Sequence, residues 1–155
     1  MGEYMLYKDI IMLVYLGIQS ILDIKTKTVN VAFNILMIIV MGIWYIISPG
    51  LNQATPYMLL CLIGIVLCEK FHLFGSGDTK ALIALLFTYN GNLLLFLMMI
   101  LLTNLVFCVY GFIYANIQKN KGTVNKVKEA RPPYFPAMFV GHLIISIIGM
   151  RYGIH

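Results

Sequence analysis

Long runs without a charged residue alternate with short polar segments along this chain. Three stretches contain no Asp, Glu, Lys or Arg: Thr28 to Cys68, Ala81 to Gln118 and Pro132 to Met150. A membrane span needs about 20 apolar residues, so these stretches hold roughly five spans, and the segment up to Leu22 adds one more. The pattern predicts an all-α, polytopic membrane bundle of about six helices, with residues 1–155 forming one membrane-embedded domain.

Polar segments and glycine-rich breaks divide the apolar runs into helices. Asn90-Gly91-Asn92 splits the run after Ala81, and it leaves a fourth helix of only about a dozen residues, too short for a usual span. Asp78, just before that helix, should therefore lie at or below the headgroup level. The other predicted helices are Tyr4 to Leu22, Val31 to Ile47, Tyr57 to Cys68, Leu93 to Ile117 and Pro136 to Met150.

The composition agrees with a membrane protein, because 61% of the residues are hydrophobic and only 11% are charged. The first segment differs from a signal peptide, since Glu3 and Asp9 replace the usual basic start and no small-x-small cleavage site follows. We expect it to be a retained helix, with Lys8 and Asp9 near its outer end, where long side chains can reach the interface.

The net charge of +5 is unevenly distributed over the predicted topology. Only Lys8 and Arg151 fall on one side of the membrane. The loops after helices one, three and five carry the other basic residues: Lys25, Lys27, Lys70, Lys80, Lys119, Lys121, Lys126, Lys128 and Arg131. By the positive-inside rule these loops are cytoplasmic and both termini lie outside. The charge therefore needs no nucleic-acid partner to explain it.

Neither the cysteines nor the histidines predict a metal site or a cofactor. Cys61, Cys68 and Cys108 fall inside apolar segments without a C-x-x-C pair, so zinc binding and a disulfide framework are not indicated. The three histidines, His72, His142 and His155, are scattered along the chain.

Two aspartates, Asp23 and Asp78, lie at the cytoplasmic ends of different predicted helices. A close pair of carboxylates in a low-dielectric setting keeps one proton between them. Such a pair can take a proton from water and donate one to a carbonyl, as in aspartic peptidases, without metal or covalent intermediate. Alternatively, Asp23 caps a helix end or pairs with Lys25 or Lys27, and Asp78 caps the fourth helix.

Three segments resemble motifs of the type IV prepilin peptidases, bacterial membrane aspartic peptidases related to archaeal preflagellin peptidase. Asp23-Ile24-Lys25-Thr26-Lys27-Thr28-Val29 is similar to the family's first aspartate with its basic residues and β-branched aliphatic. Gly75-Ser76-Gly77-Asp78-Thr79-Lys80 resembles the G-x-G-D-x-K motif, with Glu69 as an upstream acid, and residues 131–137 (RPPYFPA) resemble the start of the last helix.

The resemblance implies that Asp23 and Asp78 are the catalytic pair of an endopeptidase. The family removes the basic leader of pilin-like precursors on the cytoplasmic side, just before the precursor's hydrophobic helix. Asn30 stands where the family usually has proline, which leaves the shape of that loop open. We expect no N-terminal cytoplasmic domain with paired cysteines, so methylation of the new N-terminus is not implied. The chain resembles the short, peptidase-only members that serve tight-adherence or competence-type pilin systems.

The remaining candidate residues have alternative interpretations. Gly75 and Gly77 either form a turn that admits substrate backbone or allow close helix packing. Lys80 either tunes the charge of the aspartate pair or extends to the headgroups. Glu69 and Glu129 are possible contacts for a basic leader, because they are the other two cytoplasmic acids.

A second function class stays open at the level of sequence: a small non-enzymatic membrane protein, either a proton-coupled carrier or a scaffold of a pilus or secretion machine. A carrier favours acids near the bilayer midplane, within broken helices, whereas both aspartates here lie at helix ends. A scaffold would tolerate the loss of either carboxylate.

Overall fold

The computed structural model of the chain describes residues 2–47, 51–71, 75–89, 92–120 and 132–152. Within these ranges the chain forms six α-helices and no strand, which confirms the predicted all-α class and helix number. The helices are α1 Gly2–Thr26, α2 Val31–Ile47, α3 Leu51–Lys70, α4 Ser76–Thr88, α5 Leu93–Asn120 and α6 Phe135–Tyr152.

The bounds of α1, α3 and α4 differ most from the predicted ones. Helix α4 begins at Ser76 and not near Ala81, so Asp78 lies inside its first turn. The first helix continues through Asp23, and the Lys27 N–H donates to the Asp23 carbonyl at 3.0 Å. It ends where Lys27 adopts a left-handed conformation (φ 52°), a common way for a helix to stop. Asp23, Lys25 and Thr26 therefore lie in the last turn of α1 and not in a loop. The third helix begins at Leu51 and contains Pro56 near its start.

The short helix α4 lies at the centre of the bundle. It packs most extensively against α2 and also contacts α3 and α1, while α6 packs against α5 and α1. Small side chains such as Ala81 and Ala84 allow this close approach. Its buried residues are Thr79, Ala81, Leu82, Ala84, Leu85, Leu86 and Thr88.

The helices around α4 present apolar faces to the outside. Exposed aliphatic side chains recur every three or four residues on α1, α2, α3 and α5, whereas the described part of α4 has none. Examples from α1 and α2 are Ile10, Val14, Ile18, Ile21, Ile35, Ile39 and Ile43. One described helix, α5, is long and apolar enough to cross a bilayer, and only 22% of its most apolar stretch is buried. Two further apolar helices, Val31–Ile47 and Phe135–Gly149, are shorter.

Helices α5 and α6 cross where Gly141 meets Thr103. A Cβ built on Gly141 would overlap Thr103 Oγ1 and would lie 3.2 Å from both the Cα and the backbone N of Thr103. Glycine at this position therefore brings the two backbones into direct contact, as small residues do between membrane helices. This crossing fixes α6, whose first turn forms part of the site described next.

Candidate active site

Asp23 lies in the last turn of α1 and faces the start of α6. Its side chain is 8% exposed, and its Oδ2 accepts a hydrogen bond from the backbone N–H of Phe135 at 3.3 Å. Phe135 is the first residue of α6, where backbone N–H groups have no partner inside the helix. Asp23 therefore caps a helix end, as one of the alternatives considered from sequence has it, and the helix is the distant α6.

Asp78 lies in the first turn of α4, three residues after the N-cap residue Gly75. Its carboxylate folds back toward Gly75, whose backbone N–H faces it. A Cβ built on Gly75 would lie 3.0 Å from Asp78 Oδ2, so a larger residue there would displace the carboxylate. The backbone of Gly75 is extended (φ −68°), so the position needs glycine for space and not for an unusual dihedral angle.

The two carboxyl groups are coupled electrostatically. Both lie at helix ends, outside the charge-free apolar segments. Burial, and next the charge of Asp23, raise the pKa of Asp78 to about 6, although the Gly75 N–H partly opposes this shift. Burial also raises the pKa of Asp23, against hydrogen bonds from the backbone of Phe135 and Tyr134. The charge of Asp23 thus acts on Asp78 across the bundle and favours its protonated form.

The second glycine of the motif, Gly77, packs against Val29 in the connection between α1 and α2. A Cβ on Gly77 would lie 3.0 to 3.2 Å from the three side-chain carbons of Val29. This is closer than side chains normally approach, so residue 77 has no room for a side chain. The space beside Gly77 is thus filled by this chain's own Val29. Two of the three motif segments are in direct contact here.

A buried polar network, which sequence reasoning missed, links α1 and α2 to the same turn. Asn34 Oδ1 accepts hydrogen bonds from Tyr15 Oη at 2.7 Å and from Gln19 Nε2 at 2.5 Å, and its Nδ2 donates to the Gly77 carbonyl at 3.0 Å. Gln19 and Asn34 are completely buried. The sequence did offer a signal, because these polar residues stand in otherwise apolar helices. Polar residues are costly in a membrane unless they have a role.

Of the other predicted site residues, Lys80 and Glu69 are among the described residues and Glu129 is not. Lys80 Nζ donates to Ser76 O at 3.1 Å and Ser76 Oγ at 2.5 Å, within the first turns of its own helix. Glu69 is half-buried in the last turn of α3. Glu129, like Arg131 of the third motif, falls outside the residues that the structure describes.

Tyr134 completes the wall of the site next to α6. Its hydroxyl donates to Asn104 Oδ1 on α5 at 3.0 Å, and its ring makes an edge contact with Phe107 at a centroid distance of 4.9 Å. The residue lies directly before the Phe135 N–H that binds Asp23. The contacts of Tyr134 with α5 therefore hold the third motif segment next to the aspartate pair.

A second buried polar cluster lies at the opposite end of α4, about 15 Å along the helix axis from Asp78. Lys8 Nζ donates to the Thr88 carbonyl at 2.6 Å, and Tyr89 Oη is 2.7 Å from His142 Nδ1. Lys8 and Asp9 are each 4% exposed, so the expectation that they extend to the interface was wrong. The last turn of α4 offers an unsatisfied carbonyl, which attracts the ammonium group inward.

The described residues contain no group of three or more His, Cys, Asp or Glu side chains arranged to hold a metal ion. The three cysteines are free thiols. Comparison of the chain with protein-family models, with curated proteins and with solved structures finds no match. The chemistry of the site therefore has to be argued from Asp23, Asp78 and the groups that hold them.

Proposed function

We propose that this protein is a membrane aspartic endopeptidase that cleaves the N-terminal leader of pilin-like precursors at the cytoplasmic face of the membrane. The observation that carries the proposal is the coupling of Asp23 and Asp78 at one end of the bundle. Two carboxyl groups near enough for the charge of one to raise the pKa of the other are the requirement for acid–base hydrolysis by an aspartate pair. Motif resemblance in three segments supports the same assignment.

The membrane location is part of this proposal. Apolar side chains cover the outer faces of α1, α2, α3 and α5, while Gln19, Asn34 and Asp23 are buried and Asp78 is half-buried. Continuous apolar surface of this extent is costly in water and favourable in lipid. We place about six spans in the inner membrane, with the basic loops in the cytoplasm and both termini outside. The central helix α4 is shorter than a usual membrane span, and its longer neighbours cover the remaining thickness of the bilayer.

Hydrolysis by this pair proceeds by direct attack of water on the scissile carbonyl. The Asp23 carboxylate takes a proton from the water molecule, whose oxygen bonds to the carbonyl carbon, while protonated Asp78 gives its proton to the carbonyl oxygen. The tetrahedral diol then collapses. Asp23 returns its proton to the leaving amide nitrogen as the C–N bond breaks, and Asp78 regains a proton from a diol hydroxyl. No metal or cofactor takes part.

The roles of the two acids follow from their surroundings. Burial raises the pKa of both acids. The backbone N–H groups of Phe135 and Tyr134 oppose this shift at Asp23, and that of Gly75 opposes it at Asp78. Burial and the neighbouring charge favour the neutral form of Asp78. Asp23 is therefore the base and Asp78 the acid in the first step.

Substrate reaches the pair from the cytoplasmic end of α4. Gly75 and Ser76 are exposed there, so the first turn of α4 is open toward that side. The hydrophobic helix of a precursor would stay in the lipid while its N-terminal end unwinds over the aspartates. Glu69 and Glu129 are the acids available to attract the basic leader on this face.

The test is co-expression with a candidate pilin precursor, followed by the size shift of that precursor. Wild type should cleave, and Asp23→Asn and Asp78→Asn should each abolish cleavage. Asp9→Asn is the matched control, because Asp9 is also a buried aspartate of α1 but lies at the far end. All variants must first be detected in the membrane fraction. Cleavage by either pair variant would exclude the proposed mechanism.

One observation favours the alternative of a proton-coupled carrier. Ionisable groups are buried at both ends of α4, with Lys8, Asp9 and His142 at the outer end. A carrier would use both clusters in turn and would move protons in vesicles without any precursor. Loss of that flux in Asp9→Asn, together with no precursor cleavage by wild type, would favour the carrier. A scaffold would keep its assembly role after loss of either Asp23 or Asp78.

A further inference from the structure

Asn34 connects three helices through one buried amide group. Its Oδ1 accepts from Tyr15 and Gln19 on α1, and its Nδ2 donates to the Gly77 carbonyl on α4 at 3.0 Å. Gln19 is itself held at the start of α2, because its Nε2 donates to the Asn30 carbonyl at 3.1 Å. The hydrogen bonds fix both ends of the Asn34 side chain.

The Gly77 carbonyl belongs to the peptide that joins Gly77 to Asp78. This peptide is planar, so holding its carbonyl oxygen also fixes the orientation of the Asp78 nitrogen and Cα. The carbonyl lies inside α4, where the helix itself offers a backbone donor four residues later. The bond from Asn34 is thus additional to the helix pattern. This bond sets the position of the first turn of α4 relative to α1.

We propose that Asn34 is a positioning residue, which holds the Gly77–Asp78 peptide at the distance from α1 that keeps Asp78 beside Asp23. The effect on cleavage rests on the proposed function, but the effect on the Asp78 carboxyl does not. The groups that face Asp78 are Asp23 and Tyr15 from α1 and Tyr134 before α6. On its own helix, Lys80 is bonded to Ser76.

Three variants separate positioning from general stability. Asn34→Leu has a similar volume and removes every bond of the amide. Gln19→Met leaves Asn34 in place and removes one of its two donors, so it gives a milder change should the first variant fold poorly. Thr88→Val is the matched control, since it removes a buried hydroxyl at the other end of α4, bonded only within the helix to Ala84 O at 2.9 Å.

The first measurement is the titration of the Asp78 carboxyl by isotope-edited infrared spectroscopy of the purified full chain in lipid discs. The Asp78 band is assigned by subtracting the spectrum of Asp78→Asn. In Asn34→Leu we expect the midpoint to fall by about one pH unit, a tenfold weaker proton affinity, because Asp78 moves toward water and away from Asp23. Gln19→Met should move it in the same direction by less, and Thr88→Val should leave it unchanged.

The second measurement is precursor cleavage over a pH range by the same variants. A shifted pH profile in Asn34→Leu, together with an unchanged profile in Thr88→Val, supports the inference. A smaller number of folded molecules would lower the rate equally at every pH and would not shift the profile. An unmoved carboxyl midpoint in both Asn34→Leu and Gln19→Met overturns it, whether or not the enzyme cleaves. If the carboxyl midpoint moves in the variants but the wild-type protein cleaves no precursor, the positioning role stands and the proposed function does not.

Discussion

The Asp23 carboxylate accepts a hydrogen bond at 3.3 Å from the backbone N–H of Phe135, a residue 112 positions further along the chain. At the other end of α1, Lys8 donates to the last carbonyl of α4. One helix thus supplies an anion to the N-terminus of α6 and a cation to the C-terminus of α4. Both signs agree with the dipoles of the helices that they cap. The catalytic candidate Asp23 is therefore also a structural residue.

Replacing Asp23 should separate these two roles. Asp23→Asn keeps an oxygen that accepts from Phe135 but cannot act as a base, so it should lose cleavage while losing about 1 kcal/mol of stability or less. Asp23→Leu removes the acceptor as well and leaves the α6 N–H buried without a partner, which should cost about 1–3 kcal/mol. Thermal unfolding of both variants in detergent, beside the precursor assay, measures the two effects. Equal unfolding temperatures for the two variants would contradict the capping role.

The rate of cleavage should fall on the alkaline side of about pH 6. The proposed acid, Asp78, must carry a proton, and its pKa of about 6 means that the proton is lost as the pH rises through that value. For free enzyme, kcat/KM should then fall about tenfold for each further pH unit. On the acidic side, protonation of Asp23 should remove the base and lower the rate again.

The measurement is kcat/KM for a labelled precursor at subsaturating concentration between pH 4 and 9. Detergent-solubilised wild type incubated at each pH and returned to pH 6 controls for inactivation. A rate that keeps rising from pH 6 to pH 9 would show that Asp78 does not act in its protonated form.

Much of the fold could be predicted from the hydrophobic pattern because the apolar runs are long and their breaks are chemically clear. The bounds Val31 and Ile47 of α2 are those predicted, and α4 is short as predicted, although it begins at Ser76 and so contains Gly77. The end of α1 was missed because charged residues after Leu22 were interpreted as a loop, although a helix can continue until a left-handed residue such as Lys27 stops it.

The candidate site could be predicted only in part. Motif spacing pointed to Asp23 and Asp78, but it contains no distance between helices. The capping of α6 by Asp23 and the packing of Val29 on Gly77 therefore needed the structure. The bonds of Asn34 depend on the rotation of α2 about its own axis. A nearly uniform apolar helix does not fix that rotation from sequence.

Lys8 should be important for stability at the end of the bundle opposite the aspartate pair. Lys8→Met keeps much of the side-chain length but removes the donor to the Thr88 carbonyl and leaves Asp9 with less compensating charge. The expected loss is about 1–3 kcal/mol, seen as a lower unfolding temperature in detergent. Lys80→Met is the matched control, because Lys80 bonds only to Ser76 in its own turn among the contacts found for the described residues. A control variant that unfolds as early as Lys8→Met would argue against this role.

The contact between Gly77 and Val29 should be detectable as a coupled pair. Gly77→Ala places a methyl group 3.0 Å from Val29 Cβ, so α4 must move away from the α1–α2 connection, and cleavage should fall together with stability. Val29→Ala creates space at the same point and by itself should cost little more than the methyl groups that it removes. In the double variant the contacts with the two γ carbons of Val29 are gone and the one with its Cβ remains, so unfolding temperature and cleavage should both recover in part toward wild type. Gly64→Ala on α3, where an added Cβ meets nothing within 4 Å, controls for glycine replacement itself. Additive effects in the double variant would mean that the two residues do not set the position of α4, because residues in real contact couple by about 0.5–3 kcal/mol.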